Sequence, residues 1–186
     1  PKGRKGARMT PSGHCRLILT RHAKSSWDDA AQPDHERPLN DRGRRSARAL
    51  GDWLASRGYE PEEVLCSTAQ RTRETWDAIQ SALQGPEAEI VPSIYEAPET
   101  ALLAIVRSTP DIVGSLLMIG HNPGLQDLAM RLAGSGEKAG RKRLALEFPT
   151  ASVVVLDFDG DAWKAVAAGM GRLERFVAPR DIDIAD

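Results

Sequence analysis

Three short segments of this 186-residue chain bring a guanidinium or an imidazole to the end of an apolar run. In CRLILTRHAKSSWDD, residues 15–29, side chains of buried type give way to Arg21 and His22 with no turn residue between. STAQRTRET follows the apolar EVLC; Ser67 or Thr68 suits a helix cap, which puts Arg71 in the first helical turn. HNPG follows SLLMIG, with His121 just before a candidate cap, Asn122, and with Pro123 suited to the first helical position. A helix N-terminus carries partial positive charge, so an arginine there is unfavourable unless it shares an anion with the helix N–H groups. The chemistry that these residues fit is anion capture. Each has a plainer reading alone, Arg21 as a surface charge and His121 as a loop histidine bonded to backbone, and their coincidence at three strand ends carries the argument.

The elements that must position them are legible as apolar patterns. Runs at 16–20, 63–67, 115–120 and 152–158 read as buried strands. Helical periods lie between them, in Ala47, Leu50 and Leu54, in Leu102, Ile105 and Val106, and in Leu125, Leu128, Ala129 and Leu132. This alternation predicts an α/β three-layer sandwich, with a mostly parallel central sheet flanked by helices. The Asp-Gly pair in LDFDGDAWKAV adds a C-terminal antiparallel hairpin. Open α/β sheets bind ligands beyond the carboxyl ends of their parallel strands, which is where all three segments end. One domain is expected over 14–178, between a basic tail at 1–13 that includes a candidate start at Met9 and an acidic tail at 179–186.

Composition narrows the partners. With 25 Lys and Arg against 26 Asp and Glu, no global positive field exists for nucleic acid or an anionic membrane, so any anion site is local. Cys15 and Cys66 sit in apolar runs, with neither a disulfide framework nor a zinc spacing, which fits a reducing cytoplasm. No run approaches the roughly 20 apolar residues of a membrane span. His14 and His35 read as structural, and the basic cluster Arg141, Lys142, Arg143 as a solvated loop, with an acidic partner as the alternative. Asn40 suits a helix cap, and Gly43 a close approach in the turn that follows.

LTRHAKSSWDD, RPLNDRGRRSA, CSTAQRTRET, IYEA and MIGHNPG, continued by EFPTASVVVLDF, stand in the order expected of the histidine phosphatase superfamily. The chain resembles that superfamily, which has the phosphoglycerate mutase-like fold. Ala23 after the Arg-His pair, the small size and the FPTA segment make it most similar to the SixA-like phosphohistidine phosphatase branch. The resemblance implies that His22 is a nucleophile that becomes phosphorylated, and that Arg21, Arg71 and His121 form the phosphate pocket, with Ser25 as a further contact. Asp28 stands where many relatives have asparagine, and an ionised carboxylate there repels phosphate, so it is left out. Glu96 in IYEA lies near the place where larger relatives carry a general acid; the alignment leaves Glu96, Glu99 or neither in that role.

The implied activity is hydrolysis of phosphohistidine on a partner protein in signal transduction, releasing inorganic phosphate without a metal ion or other cofactor. A broad phosphatase for small phosphate esters and a non-catalytic module that binds phosphohistidine or phosphate are the alternatives. A chain of this length leaves little room for insertions over the pocket, so an open groove is expected. His22→Ala should keep the fold and lose both phosphoenzyme and turnover. Isotopic labelling of that variant at the parental rate would remove His22 from the nucleophile's role.

Overall fold

The four runs expected as strands all form strands in the computed structural model, which describes residues 13–182. The expected basic tail, Gly13 apart, and the last four residues of the C-terminal tail lie outside these. In chain order the elements are β1 (His14–Arg21), α1 (Asp41–Arg57), β2 (Glu63–Cys66), α2 (Gln70–Leu83), β3 (Glu89–Ile90) and α3 (Glu99–Arg107). There follow β4 (Ser115–Gly120), α4 (Gly124–Leu132), β5 (Ala133–Gly136), α5 (Lys138–Leu146), β6 (Val153–Asp159) and β7 (Gly171–Val177). The strands form one seven-stranded sheet in the order β3-β2-β4-β1-β6-β7-β5. β3, β2, β4 and β1 are parallel, whereas β6 runs antiparallel to β1 and forms an antiparallel pair with β7.

Alternation along the central strands feeds both faces of this sheet. Leu17 and Leu19 of β1 join Leu116, Met118, Leu102 and Leu125 in the core beneath α3 and α4. Ile18 joins Leu117, Leu50, Leu54, Trp76 and Ile79 in the core beneath α1 and α2. Helices therefore cover both faces, as the three-layer expectation requires. No helix among the described residues is long and apolar enough to cross a membrane.

Three local expectations change. The return strand of the C-terminal hairpin starts at Gly171, well beyond the Asp159-Gly160 turn. Trp163 is fully buried and its Nε1–H donates to the Val113 carbonyl at 2.6 Å, so the indole takes that segment into the core and out of the ladder. Arg141, Lys142 and Arg143 lie on α5 and not in a loop; Arg143 is neutralised by Glu147 and Asp181, each at 2.7 Å. Asp181 belongs to a 3-10 turn, Pro179–Asp181, within the expected C-terminal tail.

The start of α1 is fastened to the segment after β1. Asn40 accepts from the Gly43 N–H at 2.8 Å as the predicted cap, and its own N–H donates to the Lys24 carbonyl at 3.0 Å. A Cβ on Gly43 would collide with that same carbonyl oxygen. Gly43→Ala should therefore cost about 1–3 kcal/mol, the usual penalty of overpacking. Urea unfolding would register this as a lower midpoint at unchanged slope, and an unchanged midpoint would show that the contact is soft.

Candidate active site

β1 and β4 pair in parallel with Arg21 opposite Gly120, so the next residues, His22 and His121, leave the sheet side by side. Their ring centroids are 5.3 Å apart. His22 Nδ1 lies 2.7 Å from the carbonyl oxygen of Ala23. A carbonyl only accepts, so Nδ1 carries the proton and Nε2 keeps its lone pair. His121 is the reverse: Nδ1 is 3.5 Å from an Arg71 Nη2, which can only donate, and Nε2–H donates to Ser67 Oγ at 2.7 Å.

The loop that carries His22 is braced from both sides. Ala23 N–H donates to Thr75 Oγ1 at 2.9 Å, and that hydroxyl donates to the Arg71 carbonyl at 2.6 Å, which ties the nucleophile candidate to α2. The FPTA segment closes from the opposite side, where Ala151 N–H donates to the His22 carbonyl at 3.1 Å with Ala151 itself at φ 58°. Neither predicted cap performs that role. Ser67 is held by His121, and Thr68 Oγ1 by His35 Nε2 at 2.8 Å, so Ala69 is the N-cap of α2 without a side-chain bond. Asn122 Nδ2 donates to Gln126 and to the Phe148 carbonyl, both at 3.2 Å, while α4 begins at Gly124 after a cis Pro123.

Arg21 and Arg71 reach the same place. Arg21 Nη1 donates to the Phe148 carbonyl at 2.8 Å, and its buried Nε has no partner among the described residues. Arg71, second residue of α2 and only 7% exposed, donates from Nη1 to the Asp34 carbonyl at 2.6 Å and from Nη2 to Asp34 Oδ2 at 2.9 Å. Sequence reasoning missed Asp34 and two of its partners. Asp34 Oδ1 accepts from Arg37 Nη1 at 2.9 Å, and Oδ2 from the Tyr95 hydroxyl at 2.8 Å. Arg37 also donates to Ser25 Oγ and stacks its guanidinium 3.3 Å from the Trp27 ring centroid. The only available signal was the charged loop between Pro33 and Pro38; His35 of that loop packs edge-on to Tyr95.

Ser25 is thus buried beside Arg37, with Arg37 and Asp34 between it and Arg71. Asp28 is exposed. Glu99 starts α3 and is ion-paired with Arg131 at 3.1 Å. Glu96 is exposed at φ 54°, and makes no hydrogen bond or ion pair among the described residues. The structure therefore gathers His22, His121, Arg21 and Arg71, and leaves Glu96 outside their contacts.

Comparison with known proteins fits this geometry. The sequence model of the histidine phosphatase superfamily (branch 1) matches residues 17–98. An uncharacterized chloroplast protein of Arabidopsis thaliana is 36% identical over 179 residues, covering 88% of this chain and 78% of that one. The phosphohistidine phosphatase SixA of Escherichia coli is 29% identical over 110 residues, covering 58% of this chain and 67% of that one. The crystal structure of the SixA protein of Agrobacterium tumefaciens superimposes with a TM-score of 0.76 at 30% identity, over 91% of this chain and all of that one.

Electrostatics decide which state of the two imidazoles is present. Burial pushes His22 down from 6.5 to about 4; the Ala23 carbonyl opposes this, and Arg71 and Arg21 add to it. Burial, then His22 and Arg71, lowers His121 to about 3. Partial burial raises the Asp34 carboxyl, but the Tyr95 hydroxyl and Arg71 outweigh it, and the group is held below its ordinary value. Both imidazoles are neutral at pH 7, facing guanidinium groups that stay charged.

Between pH 6.5 and about 4 the unfolded chain binds more protons at His22 than the folded one, so stability is full above 6.5 and falls as pH drops through that window. Nitrogen NMR should find His22 as the Nδ1–H tautomer at neutral pH, with a protonation midpoint near 4. A midpoint at the ordinary value of 6.5, or the opposite tautomer, contradicts the assignment.

Proposed function

The chain belongs to the histidine phosphatase superfamily, and on that premise we propose that it hydrolyses phosphohistidine on a protein through a phosphohistidine intermediate at His22. The observation that carries this reading is the Nδ1–H bond of His22 to the Ala23 carbonyl. It leaves a neutral Nε2 lone pair beside His121, Arg71 and Arg21 without any base having to remove a proton first. Nε2 attacks phosphorus, the bond from phosphorus to the substrate imidazole breaks, and the bonding pair leaves on that nitrogen. Water then attacks the phosphoryl group on His22, breaking its bond to Nε2, and phosphate departs. Arg21 and Arg71 offer positive charge and their remaining N–H donors to the equatorial oxygens as charge redistributes, so in this reading no metal ion is required. The two buried free thiols, Cys15 and Cys66, favour a reducing compartment such as the cytoplasm.

The choice of substrate follows from Glu96. A phosphohistidine protonated on its distal nitrogen leaves as neutral imidazole, whose conjugate acid has a pKa of about 6.5. A serine phosphate expels an alkoxide, near water's pKa of about 15.7, unless an acid is in place to protonate it. No carboxyl group lies in hydrogen-bond contact with His22 or His121 among the described residues, which favours the first leaving group. Phosphohistidine and activated aryl phosphates should be turned over well and phosphoserine poorly. Glu96→Gln should change the phosphohistidine rate little, and chelators not at all. Comparable rates on phosphohistidine and phosphoserine, with only the latter collapsing in Glu96→Gln, would establish Glu96 as a general acid and a broad phosphatase in place of the specific one.

A further inference from the structure

A run of cations that the catalytic reading does not use opens α1. The first two turns of α1, DRGRRSAR, hold Arg42, Arg44, Arg45 and Arg48 against the single acid Asp41, in a chain whose net charge is only -1. Arg44 is engaged with Asp41, Glu74 and the Leu39 carbonyl. Arg42, Arg45, Arg48 and the neighbouring Lys24 are exposed and form no ion pair among the described residues. The helix dipole disfavours cations at this end, so helix stability does not account for them.

Arg42 and Lys24 line one cavity of about 230 Å³ together with Thr150 and Arg180. This cavity adjoins the nucleophile's loop on two sides. Lys24 is two residues beyond His22, within about 7.6 Å of Cα travel, and Thr150 precedes the Ala151 whose N–H holds the His22 carbonyl. Trp27, 74% exposed and stacked on Arg37, stands farther along the same loop. An exposed tryptophan is among the residue types most enriched at protein interfaces, and this one is held in place by the buried Arg37. In the other basic cluster, Arg143 is paired to Glu147 and Asp181, whereas Arg141 and Lys142 lie on α5, away from the loop that carries His22.

We propose that the surface of Lys24, Arg42, Arg45 and Arg48 docks an acidic segment of the protein that carries the phosphohistidine. This rests on the phosphatase reading, since a phosphorylated histidine presented to His22 arrives on a polypeptide, and the cavity of Lys24 and Arg42 adjoins the loop that carries His22. Charge complementarity names the chemistry of that segment, and exposed charges of this kind act chiefly on encounter rate.

Peptides bearing one phosphohistidine flanked by glutamates or by lysines, with free phosphohistidine as the small substrate, test it. The glutamate peptide should show roughly tenfold higher kcat/KM than the lysine peptide at low salt, the effect of a few surface charge pairs, and the gap should shrink as salt rises. Arg42→Glu with Arg45→Glu should abolish or reverse that preference and leave free phosphohistidine turnover unchanged. Acids at a helix N-terminus are favourable, so the variant retains its helix.

Calorimetry with the unphosphorylated glutamate peptide gives a readout that needs no turnover: binding to the parent, lost in the double variant, supports docking even if the phosphatase reading fails. Equal kcat/KM for the two peptides, or a preference that survives in the variant, overturns the proposal. So does variant-sensitive binding of duplex DNA or phosphatidylserine vesicles without any peptide preference, which assigns the surface to another polyanion. Failure of the parent to hydrolyse free phosphohistidine counts against the phosphatase reading alone.

Discussion

Positive charge held largely out of water at the carboxyl ends of β1 and β4 is the constraint to which the site answers. Arg21, Arg71, His22 and His121 share a small volume, and all four cannot be protonated there. The guanidinium groups keep their charge and the imidazoles give up theirs, with His22 lowered to about 4 and His121 to about 3. Neutrality is the state in which an imidazole nitrogen is nucleophilic. Burial first, and the neighbouring guanidinium groups second, therefore leave His22 neutral beside the charges that attract an anion. Asp34 supplies the one carboxylate of the cluster among the described residues, bridging Arg37 and Arg71 and relieving the repulsion between them.

Holding such a group in place demands a stiff frame, because catalytic geometry tolerates only about 0.5 Å of error. The frame here is mostly backbone. The register of β1 on β4 sets the height of both imidazoles, and the carbonyls of Gly120, Ala23 and Phe148 receive His22 N–H, His22 Nδ1–H and Arg21. Gly43 lets α1 close on the Lys24 carbonyl, and Thr75 connects the same loop to the second residue of α2. Three elements distant in sequence thus meet on a segment of three residues, His22 to Lys24.

The parts of the molecule that were legible in the sequence are those with a strong local pattern. Four apolar runs placed the central strands, and the polar residues at their ends could be projected to one edge of the sheet without knowledge of side-chain contacts. What lacked a pattern stayed hidden. β3 has two residues and β5 reads AGSG, so both form through tertiary pairing alone. Asp34, Arg37 and Tyr95 come from irregular segments, and nothing in a sequence separates a buried loop arginine from a solvated one. The caps of α2 and α4 were misread because the hydroxyls and the amide suited to capping are engaged by His35, His121 and Gln126. Trp163 shows the same rule from the apolar side, since a turn signal was overridden by the burial of one indole.

The place of β1 at the middle of the sheet also bears on how the chain is made. Its neighbours on either side, β4 and β6, lie far downstream, as the pairings of Arg16 with Ser115 and Leu17 with Leu156 record. At about 5–20 residues per second the ribosome delivers them many seconds after LILT has emerged. During that interval an apolar, β-prone segment has neither of its final partners, the circumstance in which nascent chains associate with one another or are held by chaperones. The strand that ends beside His22 thus waits longest to find both its neighbours, and vectorial synthesis leaves the site incomplete until β4 and β6 have arrived.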